Sequence, residues 1–169
     1  MIVAVAACAG DEPSTSTDAP DDQEQASMAD HDMQGHGGEF AFGNPADATD
    51  ADRTIKIRTS NELAFDPAEV TVSEGETITF SISNEGDLPH DFVVGDEAAQ
   101  DEHAAEMAEE MAEMSSEMEH GDANAVSVPP GETVELTWSF DGETEGLRYG
   151  CHEAGHYEAG MVGEIIVED

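Results

Sequence analysis

The chain has 169 residues, enough for one ordinary domain and a tail but not for two cores of the usual size. It carries 41 acidic residues against four basic ones, a formal net charge of −37, and its only lysine is Lys56. Nucleic acid is excluded as a partner, because binding phosphate needs clustered Lys and Arg. Such a surface repels itself in dilute buffer, whereas at ~1 M salt the screening length falls to ~3 Å, so the composition reads as a halophile's. The competing reading is an acidic face that docks a basic redox partner.

Residues 1–8 hold a short apolar run, Ile2-Val3-Ala4-Val5-Ala6-Ala7, directly before Cys8, Ala9 and Gly10. The pattern resembles the lipobox at which a lipoprotein signal is cut and its cysteine lipidated, which makes Cys8 the predicted lipidation site. The run is short for a signal, so residues 1–8 read as a truncated one; a free or disulfide-bonded Cys8 is the alternative. No other segment has the ~18 apolar residues that span a bilayer. Residues 9–52 are Asp, Ser, Thr, Gly, Pro, Gln and Ala with few large apolar side chains, a composition that cannot offset its ordering entropy. They are predicted to form a disordered acidic tether. Met28, His31, Met33 and His36 within it read as compositional accident.

From Arg53 the pattern becomes that of short strands, at residues 54–58, 69–72, 77–83 and 90–94 and again at 125–128, 133–140, 146–149 and 163–167. Turn signals separate them, such as Asp66-Pro67 and Asn84-Glu85-Gly86-Asp87. Strands of this length and spacing predict an all-β fold, an antiparallel sandwich. Residues 97–120 interrupt it, rich in Ala, Glu and Met with no Pro, Gly or β-branched residue, and are predicted to be a helical insertion between two strands. Met107, Met111, Met114 and Met118 fall on one face of that helix. The plain reading is a stripe packed on the sandwich; the alternative is a Cu(I) site in which these thioethers act with His103 and His120.

The C-terminal stretch reads Tyr149-Gly150-Cys151-His152-Glu153-Ala154-Gly155-His156-Tyr157-Glu158-Ala159-Gly160-Met161, a Cys-x4-His-x4-Met between two strands. Thiolate and neutral imidazole are strong equatorial donors and a thioether is a weak axial one, the set that marks an electron-transfer copper. His90, at the start of an apolar strand, is the candidate for the missing equatorial ligand. Each of the four has a plainer reading alone: a strand-end histidine, a small buried hydrophobe, a loop histidine, a core methionine. Their order together favours metal.

With Asn84-Glu85-Gly86-Asp87-Leu88-Pro89-His90-Asp91-Phe92 ahead of it, this loop resembles the cupredoxins, the plastocyanin- and azurin-like blue copper proteins, and among them the rusticyanin-like and halocyanin-like members. The resemblance covers about Arg53 to Asp169 and implies a Greek-key β-sandwich holding one type 1 copper, with His90, Cys151 and His156 equatorial and Met161 axial. It further implies a one-electron carrier rather than an enzyme, and a monomer whose redox partners dock near His156 beside Pro89, Ala154 and Tyr157. Two positions depart from many relatives: Ala154 stands where they have Pro, and Asp91 where they have Asn or a small polar residue. Asp91 can support the loop only by accepting backbone N–H bonds, and its charge near the thiolate favours Cu(II), lowering the potential. His152 resembles the histidines beside the thiolate of multicopper oxidases; with no second histidine cluster to wire to, it is predicted to face solvent.

The residues offer no nucleophile and base pair and no Gly-rich substrate loop. The predicted function is therefore electron transfer outside the cytoplasm, with membrane contact only through the lipid on Cys8. Copper storage or delivery through Met and His clusters is the alternative. A passive adhesion sandwich, which would bind no copper tightly, is a third reading.

Overall fold

The computed structural model describes residues 40–112 and 122–168. In chain order the strands are β1 (Asn44–Pro45), β2 (Arg53–Thr59), β3 (Phe65–Asp66), β4 (Glu69–Ser73), β5 (Thr77–Asn84) and β6 (His90–Gly95). After the helix α1 (Glu97–Ala112) come β7 (Ala125–Val128), β8 (Thr133–Ser139), β9 (Arg148–Gly150) and β10 (Val162–Glu168). They form two five-stranded sheets, β1-β8-β5-β2-β3 and β4-β10-β9-β6-β7, which is the predicted β-sandwich. The sheets are mixed rather than wholly antiparallel: β2 runs parallel to β5, and β10 parallel to β4. Both pairs join strands whose connection passes through the opposite sheet, and such crossovers leave no mark on the period-two pattern of a single strand.

The core lies between the sheets because alternate residues point inward. Ile57, Ile78, Phe80, Ile82, Phe92 and Val94 are all buried in it, with Trp138, Phe140 and Tyr149. β6 departs from alternation and is buried throughout. One face of it, carrying Phe92 and Val94, joins the core; the other carries Asp91 and Val93 and lies under α1, whose Gln100 Nε2 donates to the Val93 carbonyl at 2.9 Å.

The helix starts where Asp96 caps it, with Oδ1 accepting the Ala99 N–H at 2.9 Å. Among its described side chains Gln100, His103 and Met107 are buried, spaced three and four apart and so on one face. Met107, the one methionine of the predicted stripe whose side chain is described, is buried as the plain reading expects, and Gln100 and His103 continue the same face towards the helix start. Met114, Met118 and His120 lie outside the described residues, as does the side chain of Met111.

The folded region also begins earlier than Arg53. Phe42 is 2 % exposed and stacks on Trp138 with ring centroids 5.3 Å apart, while Phe40 meets Trp138 edge-on at 5.1 Å. β1 then pairs with β8, Asn44 opposite Ser139. The segment 40–52 therefore belongs to the sandwich rather than to a tether: two aromatic rings bury far more apolar surface than the surrounding polar composition suggests. Residues 9–39 of the predicted tether, and Cys8, lie outside the described residues.

Candidate metal centre

His90 opens β6, and the loop ahead of it is held by Asn84. This buried amide donates to the carbonyls of Leu88 at 2.8 Å and Val128 at 2.9 Å, while its oxygen accepts the Gly86 N–H at 2.9 Å. Cys151 follows β9, and the segment from there to Met161 closes on itself. The Cys151 N–H donates to the Met161 carbonyl at 3.1 Å and the Met161 N–H to the His156 carbonyl at 3.0 Å. Two bends in it depend on Gly155 and Gly160, with φ of +81° and +95°, conformations that L side chains rarely adopt.

These anchors bring together residues some sixty positions apart. Cys151 Sγ lies 3.8 Å from His90 Nδ1 and 3.4 Å from His156 Nδ1, and the two imidazole centroids are 5.1 Å apart. His90, Cys151 and Met161 are fully buried, while His156 reaches the surface. Leu88, Pro89 and Ala154 are exposed and Tyr157 half-buried.

Electrostatics favour a bound cation. Burial, and then the neighbouring His156, hold the His90 imidazole below its ordinary pKa against the weaker pull of the Ser60 backbone and Asp91, keeping it in the neutral form that ligates. Burial and the Asp91 charge push the Cys151 thiol far up. In a cage this dry a thiolate persists only beside a positive ion, and a free buried thiol between two imidazole nitrogens is the arrangement a soft or borderline metal displaces a proton from.

Asp91 supports the site as read from the sequence. Its Oδ1 accepts the His152 N–H at 2.6 Å, and its own N–H approaches Cys151 Sγ at 3.5 Å. Burial alone would push this carboxyl upward, but contacts with His103, Cys151 and the His152 amide outweigh it and hold it below its ordinary range.

His152 differs from expectation. It is half-buried rather than solvent-facing, with Nε2 2.7 Å from Gln100 Oε1 and its ring stacked on Tyr157 at 4.4 Å. The cause is tertiary, since α1 covers the side of the loop to which the residue after Cys151 turns. Gln100, Asp122 and Glu106 also escaped notice in the sequence; the one local signal was His103 and Glu106 three apart on a helix.

A two-sheet sandwich that converges a buried cysteine and two histidines, with a buried methionine closing the same loop, defines a cupredoxin, and its donor set fits type 1 copper. The comparison with protein families agrees: the model for copper binding proteins of the plastocyanin/azurin family matches residues 52–168, and the chain belongs to that family. It is 40 % identical over 152 residues to the copper-resistant cuproprotein CopI of Pseudomonas aeruginosa, spanning 76 % of this chain and 83 % of that one. It is 38 % identical over 132 residues to CopI of Rubrivivax gelatinosus, spanning 78 % and 76 %. Among solved structures, dithionite-reduced auracyanin from Roseiflexus castenholzii is similar with a TM-score of 0.54 and 26 % identity, covering 70 % of this chain and 99 % of that one.

Proposed function

We propose that the protein exchanges single electrons at a type 1 copper held by His90, Cys151 and His156, with Met161 as the weak axial donor, and that it does so outside the cytoplasm in the service of copper tolerance. The observation that carries this reading is the approach of both imidazole Nδ1 atoms to one buried thiol, at 3.8 and 3.4 Å. When bound there, copper supplies the one-electron Cu(I)/Cu(II) couple. The protein's part is to keep its donors still: Asn84, Asp91 and the Cys151–Met161 backbone bonds hold them, so little rearranges on transfer. The four protein donors leave no position for a substrate, which supports a carrier rather than an enzyme. The use in tolerance is supported by the likeness to the CopI proteins. A lipid on Cys8 would keep the domain at a membrane surface.

A second reading, a monomeric carrier in a dedicated electron-transfer chain, is favoured by one feature. Leu88 is 43 % exposed, and Pro89 just before His90 and Ala154 two residues before His156 are exposed as well, apolar surface suited to brief docking by a redox partner.

The copper-loaded protein should show an intense visible thiolate band that is absent in Cys151→Ser. Several colourless Cu(I) ions retained by that variant would instead favour storage. A strain lacking the protein should lose growth in raised copper while electron flow at ordinary copper is unchanged. The reverse pattern would select the dedicated carrier and overturn the role in tolerance.

A further inference from the structure

We propose a second metal site, separate from the thiolate centre, in which His103 and Glu106 of α1 and Asp122 ahead of β7 bind one divalent transition ion, Cu(II) or Zn(II). One donor atom from each residue lies within 4.8 Å of the other two. His103 Nδ1 and Asp122 Oδ2 are 3.1 Å apart, close to the separation of two donors that share an ion at bond lengths of about 2.0–2.2 Å. The helical spacing of three places the Glu106 carboxylate over the same turn. The site grades from inside to outside: His103 is 3 % exposed, Asp122 is half-buried and Glu106 is exposed. A cavity of about 160 Å³ lined by Phe40, Ala99, His103, Glu106, Asp122 and Asn124 gives entry from solvent.

An independent feature points the same way. The other ring nitrogen of His103, Nε2, faces Asp91 Oδ2 at 3.7 Å. Asp91 is fully buried and this oxygen has no hydrogen-bond partner among the described residues. A histidine that gives one nitrogen to a metal commonly directs its other N–H at such a carboxylate, which fixes the tautomer and raises the basicity of the ligating atom. Asp91 thus stands between two centres, bracing the Cys151 loop with one oxygen and facing His103 with the other. At the far side, a hydrogen bond with Asp122, then burial and the charge of Asp122, push Glu106 up to about 7.

The donor set selects the ion. One imidazole and two carboxylates suit Cu(II) or Zn(II), with Cu(II) the tighter by the usual divalent order, whereas Cu(I) prefers sulfur. His103 is accordingly assigned to an oxygen-rich site rather than to a thioether cluster.

The test uses the full chain with copper already at the thiolate centre, in ~1 M salt so that loose binding to the acidic surface is screened. Titration with Cu(II), followed by electron paramagnetic resonance, should show one further equivalent with a tetragonal nitrogen- and oxygen-ligated signal, reached at higher total Cu(II) when Zn(II) is present in excess as a weaker competitor. In the double variant Glu106→Gln, Asp122→Asn its affinity should fall at least about tenfold, while the visible band persists and shows that the variant folds. No second equivalent, or one that binds the variant undiminished, overturns the site.

Discussion

Asp91 and His103 form a buried pair in which each side chain explains the other's charge. Burial opposes the charge on both, yet the pair and their neighbours hold Asp91 below its ordinary pKa of 3.8 and raise His103 above 6.5. A group raised on folding stabilises fully below its unfolded pKa and loses that contribution as pH climbs through the folded value; a lowered one acts above its unfolded pKa and fails as pH falls. The pair should therefore stabilise most between about 3.8 and 6.5, and its contribution should fade above that window. Glu106, raised to about 7, fades in the same direction. Thermal melts of metal-free protein should show the midpoint falling from pH 6 to pH 9, with a smaller fall in His103→Leu. That variant leaves the carboxylate without its cation and should cost about 3 kcal/mol at pH 6 in a denaturant titration. Asp91→Asn keeps an oxygen for the His152 N–H but removes a charge beside the thiolate, so its reduction potential should rise. A redox titration showing no rise would discard that role.

Among the elements, the segment from Cys151 to Met161 and the pairing of β1 with β8 matter most. Gly155 and Gly160 have open space where a Cβ would sit, so their positive φ alone resists substitution. Gly160→Ala should cost roughly 1–2 kcal/mol and release copper faster to a chelator, because the strain falls on the loop that carries His156 and Met161. At the other end, Phe42→Ala removes a ring packed against Trp138 and should cost about 3–5 kcal/mol in urea unfolding. A chain starting at Arg53 lacks Phe42 and β1 altogether, and should unfold at lower urea than one starting before Phe40; equal midpoints would restore the later boundary. Eight of the ten described strands were legible in the sequence to within about two residues, because alternation is a local signal, whereas the two-residue strands β1 and β3 are too short to show it. Phe40 and Phe42 were not, since two rings in an acidic stretch acquire a partner only when β8 arrives beside them.

For the whole molecule, the governing quantity is a formal charge of −37 on 169 residues. Raising salt from 0.1 to 1 M shortens the screening length from ~10 to ~3 Å, so self-repulsion should relax and the thermal midpoint rise. A shift of about 4 °C corresponds to roughly 1 kcal/mol for a domain of this size. A midpoint that stays level or falls with salt would count against adaptation to brine and leave the acidic surface as a partner-binding feature. Such a surface also bears on the exposed apolar residues Leu88, Pro89 and Ala154: the docking proposed there would, in high salt, rest on contact area more than on long-range steering.

The order of the proposed copper donors was readable from the sequence by itself, because Cys151, His156 and Met161 sit in one loop and His90 opens one strand. So were the sandwich and the helix, each of which rests on a short-range period. Only the tertiary structure decided which groups share an environment. Packing α1 against β6 set His103 opposite Asp91, drew His152 beneath Gln100, and brought Asp122 to Glu106. Side-chain charge depends on burial and on neighbours from other elements, and no local pattern of residues encodes which elements will meet.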